Sequence, residues 1–446
     1  MANLPHLPPA VPLAVAIALA FGLAAPAQAQ SLAALYDLAR DYDASFQAAK
    51  SLAQSALARA EQAKAGTLPT AGLSAGTSRS NFQNNLPFTG RNYGTSNLAV
   101  SGSYPLYRPG NSIVADQGQK AYEIAQLALA SAEQDLMIRT ATAYFDVLAS
   151  QDSLTFVKAQ KAAVAEQLAS AKRNFEVGTS TITDTREAQA RFDLVLAQEI
   201  AAENDLRVKT IALETVSGKP GFTPIAVAQP LKIPSLLPSD VTMWVKQSED
   251  NHPSIKSAAL GLEVAQMETQ RAQTAEKPTV DLTGSYGITF NHSGSATAGL
   301  DNRIQLGTVG VSLNYPLFTG YATQNRIKET LLLEDKSRND LEAAKRVVAQ
   351  ATRTAYFGVV SGLGQVNALE AAEASSTSAL DANKLGYQVG VRINIDVLNS
   401  QSQLFQTKRD LAKARYDVLV GGLRLRQANG TLKADDLKAV SSVVSK

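Results

Sequence analysis

Four segments of the chain alternate apolar and polar residues with a period of two, over residues 71–82, 95–107, 279–291 and 303–318. In the second, Leu98, Val100, Gly102, Tyr104 and Leu106 fall on one side, against Asn97, Ala99, Ser101 and Ser103 on the other. That period is the mark of a strand with two unlike faces. The third repeats the pattern with Val280, Leu282, Gly284, Tyr286, Ile288 and Phe290. The fourth slips phase near Gly307, where a β-bulge is predicted. Each segment is about ten residues or slightly more, which suits a tilted transmembrane strand. Aromatics near the ends of the apolar faces would suit an interfacial girdle. A soluble antiparallel sheet with one wet face would alternate in the same way.

Around these strands the pattern turns helical. Leu32 to Ala65 is rich in good helix formers and is stopped by Gly66 and Pro69. Ile113 to Phe175 and Tyr321 to Tyr387 contain no proline and little glycine. An unbroken helix of that size is roughly 90–100 Å long, too long for a small core, so the helices must pack along one another. Shorter return helices near 184–216 and 394–428 end at Gly218 and Gly430, positions suited to a helix C-cap. Between the halves, residues 219–238 hold Pro220, Pro224, Pro230, Pro234 and Pro238, which predicts an irregular connector wrapped on the outside of the helices. An irregular tail is expected after Gly430.

The plan occurs twice. Ala143-Tyr144-Phe145 returns as Ala355-Tyr356-Phe357, and Phe175-x-Val177-Gly178 returns as Tyr387-x-Val389-Gly390, both shifted by 212 residues. Asp184 returns as Asp396 and Gly218 as Gly430 by the same shift. Tyr104-Pro105-Leu106-Tyr107 matches Tyr315-Pro316-Leu317-Phe318, shifted by 211. Such a period is a duplicated domain, not a short solenoid unit. The division expected is a signal peptide at 1–29, a first repeat at 30–238 and a second at 239–446. Each repeat reads helix, strand hairpin, long helix and return helix, with helical hairpins at about 113–217 and 321–429.

In lipid every backbone polar group must be paired, so a sheet must close on itself. Four strands are too few, because bacterial barrels start at eight. If these strands cross a membrane, copies must share a barrel: two chains give eight strands and three give twelve.

Composition narrows the function. Val11 to Ala25 is an apolar run of signal-peptide length, followed by Ala27-Gln28-Ala29 as a cleavage site, which predicts export. There is no cysteine, which excludes disulfides, thiolate metal sites and a lipidated N-terminal cysteine. Three histidines and a net charge of +2 give little material for metal or acid–base chemistry and no case for nucleic acid. Gly362-Leu363-Gly364 sits inside a helical pattern with no strand before it, so it is no nucleotide loop. No nucleophile–base spacing appears, so no enzyme, cofactor or resident metal is expected.

The order of elements resembles the TolC outer-membrane efflux family. So do Thr142-Ala143-Tyr144-Phe145-Asp146-Val147-Leu148, Phe175-Glu176-Val177-Gly178 with Ile182-Thr183-Asp184, and Gly386-Tyr387-Gln388-Val389-Gly390 with Arg392 and Ile395-Asp396-Val397-Leu398. The resemblance spans essentially the whole mature chain. It implies an α+β membrane protein: a homotrimer whose twelve-stranded β-barrel continues into a periplasmic α-helical barrel. It further implies a passive duct in outer-membrane lipid, with a periplasmic adaptor (membrane fusion protein) and an inner-membrane pump of RND, ABC or MFS type as partners. Drugs, toxic small molecules or secreted proteins would be the cargo.

By the same resemblance, Val177, Gly178, Thr179, Val389, Gly390 and Val391 would receive the adaptor. Tyr387 and Arg392, with Thr183 and Asp184, would form an aperture latch. Asp396 would belong to an acidic ring at the entrance and offer a weak cation site. Here the chain departs from the family pattern, because the second aspartate expected three residues on is Asn399, while Glu187 in the other hairpin has Arg186 beside it. Cation preference with weak polyvalent block is expected. The competing reading is a soluble periplasmic coiled-coil scaffold or adhesin, which would not need two strand pairs with aromatic ends.

Overall fold

The structure, a computed structural model, describes residues 31–83, 91–225, 236–294 and 300–444. The expected signal peptide, most of the loop between the first two strands and the middle of the connector lie outside the described residues. The chain runs α1 (Leu32–Tyr42), α2 (Ala44–Ala65), β1 (Thr70–Phe82), β2 (Arg91–Tyr107), α3 (Pro109–Glu176) and α4 (Ile182–Ser217). It continues with α5 (Val241–Asn251), α6 (Pro253–Thr274), β3 (Thr279–His292), β4 (Asn302–Asn314), α7 (Ala322–Gln388), α8 (Asn394–Ala428) and α9 (Ala434–Val444).

The strands form one antiparallel sheet in the order β1-β2-β3-β4. Its centre joins strands from opposite halves of the chain, with Leu98 opposite Ile288, Val100 opposite Tyr286 and Tyr104 opposite Leu282. Because side chains alternate across a strand, this register gathers Leu73, Val100, Tyr286, Val309, Val311 and Leu313 on one face. Glycine, serine and threonine line the other, as in the row Gly72, Ser101, Ser285 and Thr308. The apolar face is uncovered: Leu73 is 71% exposed, Val309 83% and Leu313 68%. β1 and β4 are both open edges.

The bulge expected near Gly307 is absent. The β3–β4 register runs unbroken from Thr279–Asn314 to Asn291–Asn302. The residue pattern slips while the backbone does not, so Ile304 and Leu306 change face. Among the described residues the sheet's one register shift lies between Pro105 and Tyr107, beside a residue with no N–H to give the ladder. The fourth strand also stops at Asn314 rather than continuing to 318.

The long helices α3 and α7 hold 68 and 67 residues, about 100 Å each. Each packs along its return helix, α3 on α4 and α7 on α8, while α3 also packs on α8 and so joins the two hairpins. The main core sits partway along them, where Leu32 and Leu35 of α1 meet Leu136, Tyr144 and Phe145 of α3 and Leu423 of α8. Phe145 stacks on Tyr416 with ring centroids 5.7 Å apart. The repeated tyrosines play matching parts at the two ends of the connector. The Tyr144 hydroxyl accepts from Ile225 N at 3.1 Å, and the Tyr356 hydroxyl donates to the Ser239 carbonyl.

Two further expectations are corrected. The segment Leu32–Ala65 is two helices, broken at Asp43. Its carboxylate accepts from Phe46 N (2.8 Å) to start α2 and from Arg139 of α3 (2.8 and 3.1 Å), which fixes the bend. Those Arg139 bonds come first in holding the Asp43 carboxyl far below the usual carboxylate range, against the effect of burial. The tail is not irregular: α9 forms because Leu437 is fully buried in the main core and Asp436 pairs with Arg426. Beneath the sheet, Glu268 of α6 accepts from Arg271, from Arg326 of α7 (2.7 Å each) and from Gln117 of α3 (3.1 Å). The Arg271 bond is the main reason its carboxyl is held down at about 2.

Candidate functional site

Both helical hairpins turn at the end farthest from the sheet, and the two backbones follow one recipe. In the first, Val177 N donates to Arg173 O (3.1 Å), Gly178 N to Phe175 O (3.0 Å) and Thr179 N to Asn174 O (2.8 Å). In the second, Val389 N donates to Leu385 O (3.1 Å), Gly390 N to Tyr387 O (3.2 Å) and Val391 N to Gly386 O (2.8 Å). Gly178 and Gly390 have φ of +78° and +77°, left-handed values that close a helix end and that a Cβ would strain. Val177, Val389 and Val391 project as apolar knobs, 72%, 65% and 77% exposed.

Side chains then separate the turns. In the first, Thr181 caps α4: its Oγ1 accepts from Asp184 N at 3.2 Å, and the Asp184 carboxylate accepts from Thr181 N at 3.0 Å, a complete capping box. Ser180 and Thr181 hydroxyls donate to the same carboxylate at 2.7 and 2.8 Å. Burial pushes the Asp184 carboxyl up, but these bonds together outweigh it and leave the carboxyl below its ordinary range. These three bonds all end on Oδ2, so Oδ1 accepts none of them.

In the second turn the residues 212 positions on from Ser180 and Thr181 are Arg392 and Ile393. Ile393 has no hydroxyl and α8 starts without a side-chain cap. Asp396 therefore turns to Arg392, at 3.7 Å across a solvent-exposed gap. The turns also touch each other. Asn174 Nδ2 donates to the Tyr387 hydroxyl (3.3 Å), and Asn394, fully buried, donates to the Asp184 carbonyl (3.3 Å) and accepts from Gln167. Leu398 of α8 is buried among Val164, Leu168 and Ala188 of the first hairpin.

Within one chain, the expected latch residues do not all meet. Tyr387 reaches Asn174, Arg392 reaches Asp396, Asp184 serves its own turn, and Thr183 is exposed, with no side-chain hydrogen bond among the described residues. Arg392 and Asp396, given separate roles from the sequence, form one pair. Asn399 accepts from Arg191 of α4 at 2.7 Å. Sequence reasoning missed Asn174 and Asn394, which carry no local motif, whereas Thr181-x-x-Asp184 is a capping-box pattern that could have been found.

The outer membrane efflux protein family matches this chain twice, over residues 35–219 and 244–431. The outer membrane protein TolC of Vibrio cholerae is 31% identical over 415 residues, 93% of this chain and 94% of that protein. The alkaline protease secretion protein AprF of Pseudomonas aeruginosa is 32% identical over 316 residues, 70% of this chain and 65% of that protein. The crystal structure of the Campylobacter jejuni CmeC outer membrane channel superposes with a TM-score of 0.75 at 16% identity, over 100% of this chain and 98% of that one. That likeness in shape shows a shared fold. The double match and the near full-length relative show more: this chain belongs to the outer membrane efflux protein family and is an outer-membrane exit duct.

Proposed function

We propose that three copies of the chain close a twelve-stranded barrel in outer-membrane lipid, continued by a periplasmic barrel of twelve helices. The observation that carries this reading is the sheet with two open edges and an uncovered apolar face. Lipid tolerates no open edge, and four strands cannot close alone. Two copies would give eight strands; the family resemblance favours three. Each chain is read as two copies of one unit, residues 30–238 and 239–446, after removal of a signal peptide at 1–29.

The duct is passive, and efflux of small toxic molecules and type I secretion of proteins both fit its family. Energy and cargo choice come from an inner-membrane pump and a periplasmic adaptor. The adaptor docks on the knobs Val177, Val389 and Val391 and the turn backbone at Gly178, Thr179 and Gly390. A latch between neighbouring chains sets Tyr387 and Arg392 of one against Thr183 and Asp184 of the next, where Asp184 Oδ1 can accept a donor. Asp396, one carboxylate per chain, forms the entrance ring and binds polyvalent cations weakly.

Native mass spectrometry of the full mature chain in detergent tests the assembly. A trimer is expected; a dimer would replace it with an eight-stranded barrel, and a monomer soluble without detergent would end the reading.

A further inference from the structure

Above the second turn, α3, α4 and α8 enclose an open cleft of about 380 Å³. Two arginines face it, and both are held by neutral carboxamides. Arg191 Nη2 donates to Asn399 Oδ1 at 2.7 Å. Arg409 donates to Gln160 Oε1 at 3.0 Å and to Gln406 Oε1 at 2.6 Å. The acids beside them are engaged elsewhere: Asp410 accepts from Gln406 Nε2 (2.8 Å) and Asp193 from Gln189 Nε2 (2.9 Å). Among the described residues neither arginine makes an ion pair. This contrasts with Lys161, Lys209 and Arg415 on the same helices, each of which has a carboxylate.

Two guanidiniums in an open cleft, bonded to carboxamides with N–H donors to spare and with only Asp410 acting through space on Arg409, are a recognition element for an anion. Their spacing sets its length. The partners on α8, Asn399 and Gln406, are seven residues apart, so the two charges stand about two helical turns or roughly 10 Å apart along the axis. Leu194 lies on the wall of the same cleft, 49% exposed, with Val195 fully buried beside it, and gives an apolar seat.

We propose that this cleft binds an organic dianion, a molecule with carboxylates at its two ends and an apolar middle. Asn399 is what makes the site: an aspartate there would neutralise Arg191 from within. The cleft is built by one chain, so the proposal stands apart from the trimeric reading.

The test is calorimetric titration of the full mature protein in detergent with biphenyl-4,4′-dicarboxylate, biphenyl-4-carboxylate and inorganic phosphate. The dicarboxylate is expected to bind about tenfold or more tighter than the monocarboxylate, the scale of one charge-assisted hydrogen bond. Phosphate, which cannot span the site or use Leu194, is expected to bind more weakly than either. Arg409→Gln should bring the dicarboxylate down to the level of the monocarboxylate. Asn399→Asp should do the same while leaving both guanidiniums in place, which guards against a folding artefact. Equal affinity for the two biphenyls, tighter binding of phosphate alone, or an affinity unmoved by Asn399→Asp would overturn the proposal. Loss of binding in an Arg409→Gln variant that keeps the wild-type oligomer would concern this site alone.

Discussion

The turn at 174–184 and the turn at 386–396 have one backbone and two chemistries. Glycine at +78° and +77° and matched hydrogen bonds give both the same path. Each places an aspartate at the same point of the following helix. In the first, Thr181 and Ser180 hold that aspartate inside its own turn. In the second, isoleucine and arginine stand in their places, and the aspartate is left to an exposed pair at 3.7 Å. Exposed pairs of this kind contribute only about 0–1 kcal/mol, against about 1 kcal/mol for a good N-cap. Two substitutions thus turn a closed cap into a contact that can be exchanged for another. The first turn closes on itself, and under the proposed latch the second is the half of the tip expected to change partners.

The largest effect that would break this contrast is on conductance. Arg392→Ser with Tyr387→Phe is expected to raise single-channel conductance in planar bilayers severalfold. Asp184→Asn is expected to raise it less, since that carboxylate also serves its own cap. Equal effects, or none from the double variant, would remove the second turn's special part. Next come the glycines. Gly178→Ala and Gly390→Ala should each destabilise the local turn by about 1–2 kcal/mol, because both put a Cβ in the left-handed region with no neighbouring atom to blame. Hydrogen exchange at the turn amides reads this directly. Unequal costs would mean that the two backbones are not equivalent.

The smallest expected effect is a cap exchange. Thr181→Ala should speed exchange in the first turn by the equivalent of about 1 kcal/mol, and Ile393→Thr should slow it in the second by a few tenths up to that amount. The first turn should also respond to acid. A carboxyl lowered in the folded state contributes stability above its unfolded pKa of about 3.9, and that contribution is lost as pH falls through the lower folded value. The protection factors of the Thr181 and Asp184 amides, taken relative to the intrinsic exchange rate at each pH, should therefore be flat near neutral pH and fall only below the carboxylate range. A loss of protection nearer neutrality would contradict the cap.

Much of this was legible from residues alone, for a local reason. Helix length follows from the lack of proline over some sixty residues. Strand faces follow from alternation, and helix ends follow from glycine at 178, 218, 390 and 430. Each of these depends on neighbours within about four positions, which the chain order supplies. Tertiary structure decided the rest. Nothing local pairs Leu98 with Ile288, and the break at Asp43, begun by its local cap on Phe46, is fixed by Arg139 from α3. Nothing local orders the tail either, which needs the core around Leu437. The slip at Gly307 misled because side-chain pattern and backbone register are separate quantities, and only the partner strand fixes the second. The two aspartates are the plainest case: their positions were readable by counting, but the atoms they bind depend on which side chains folding brings within 4 Å, and that is a property of three dimensions.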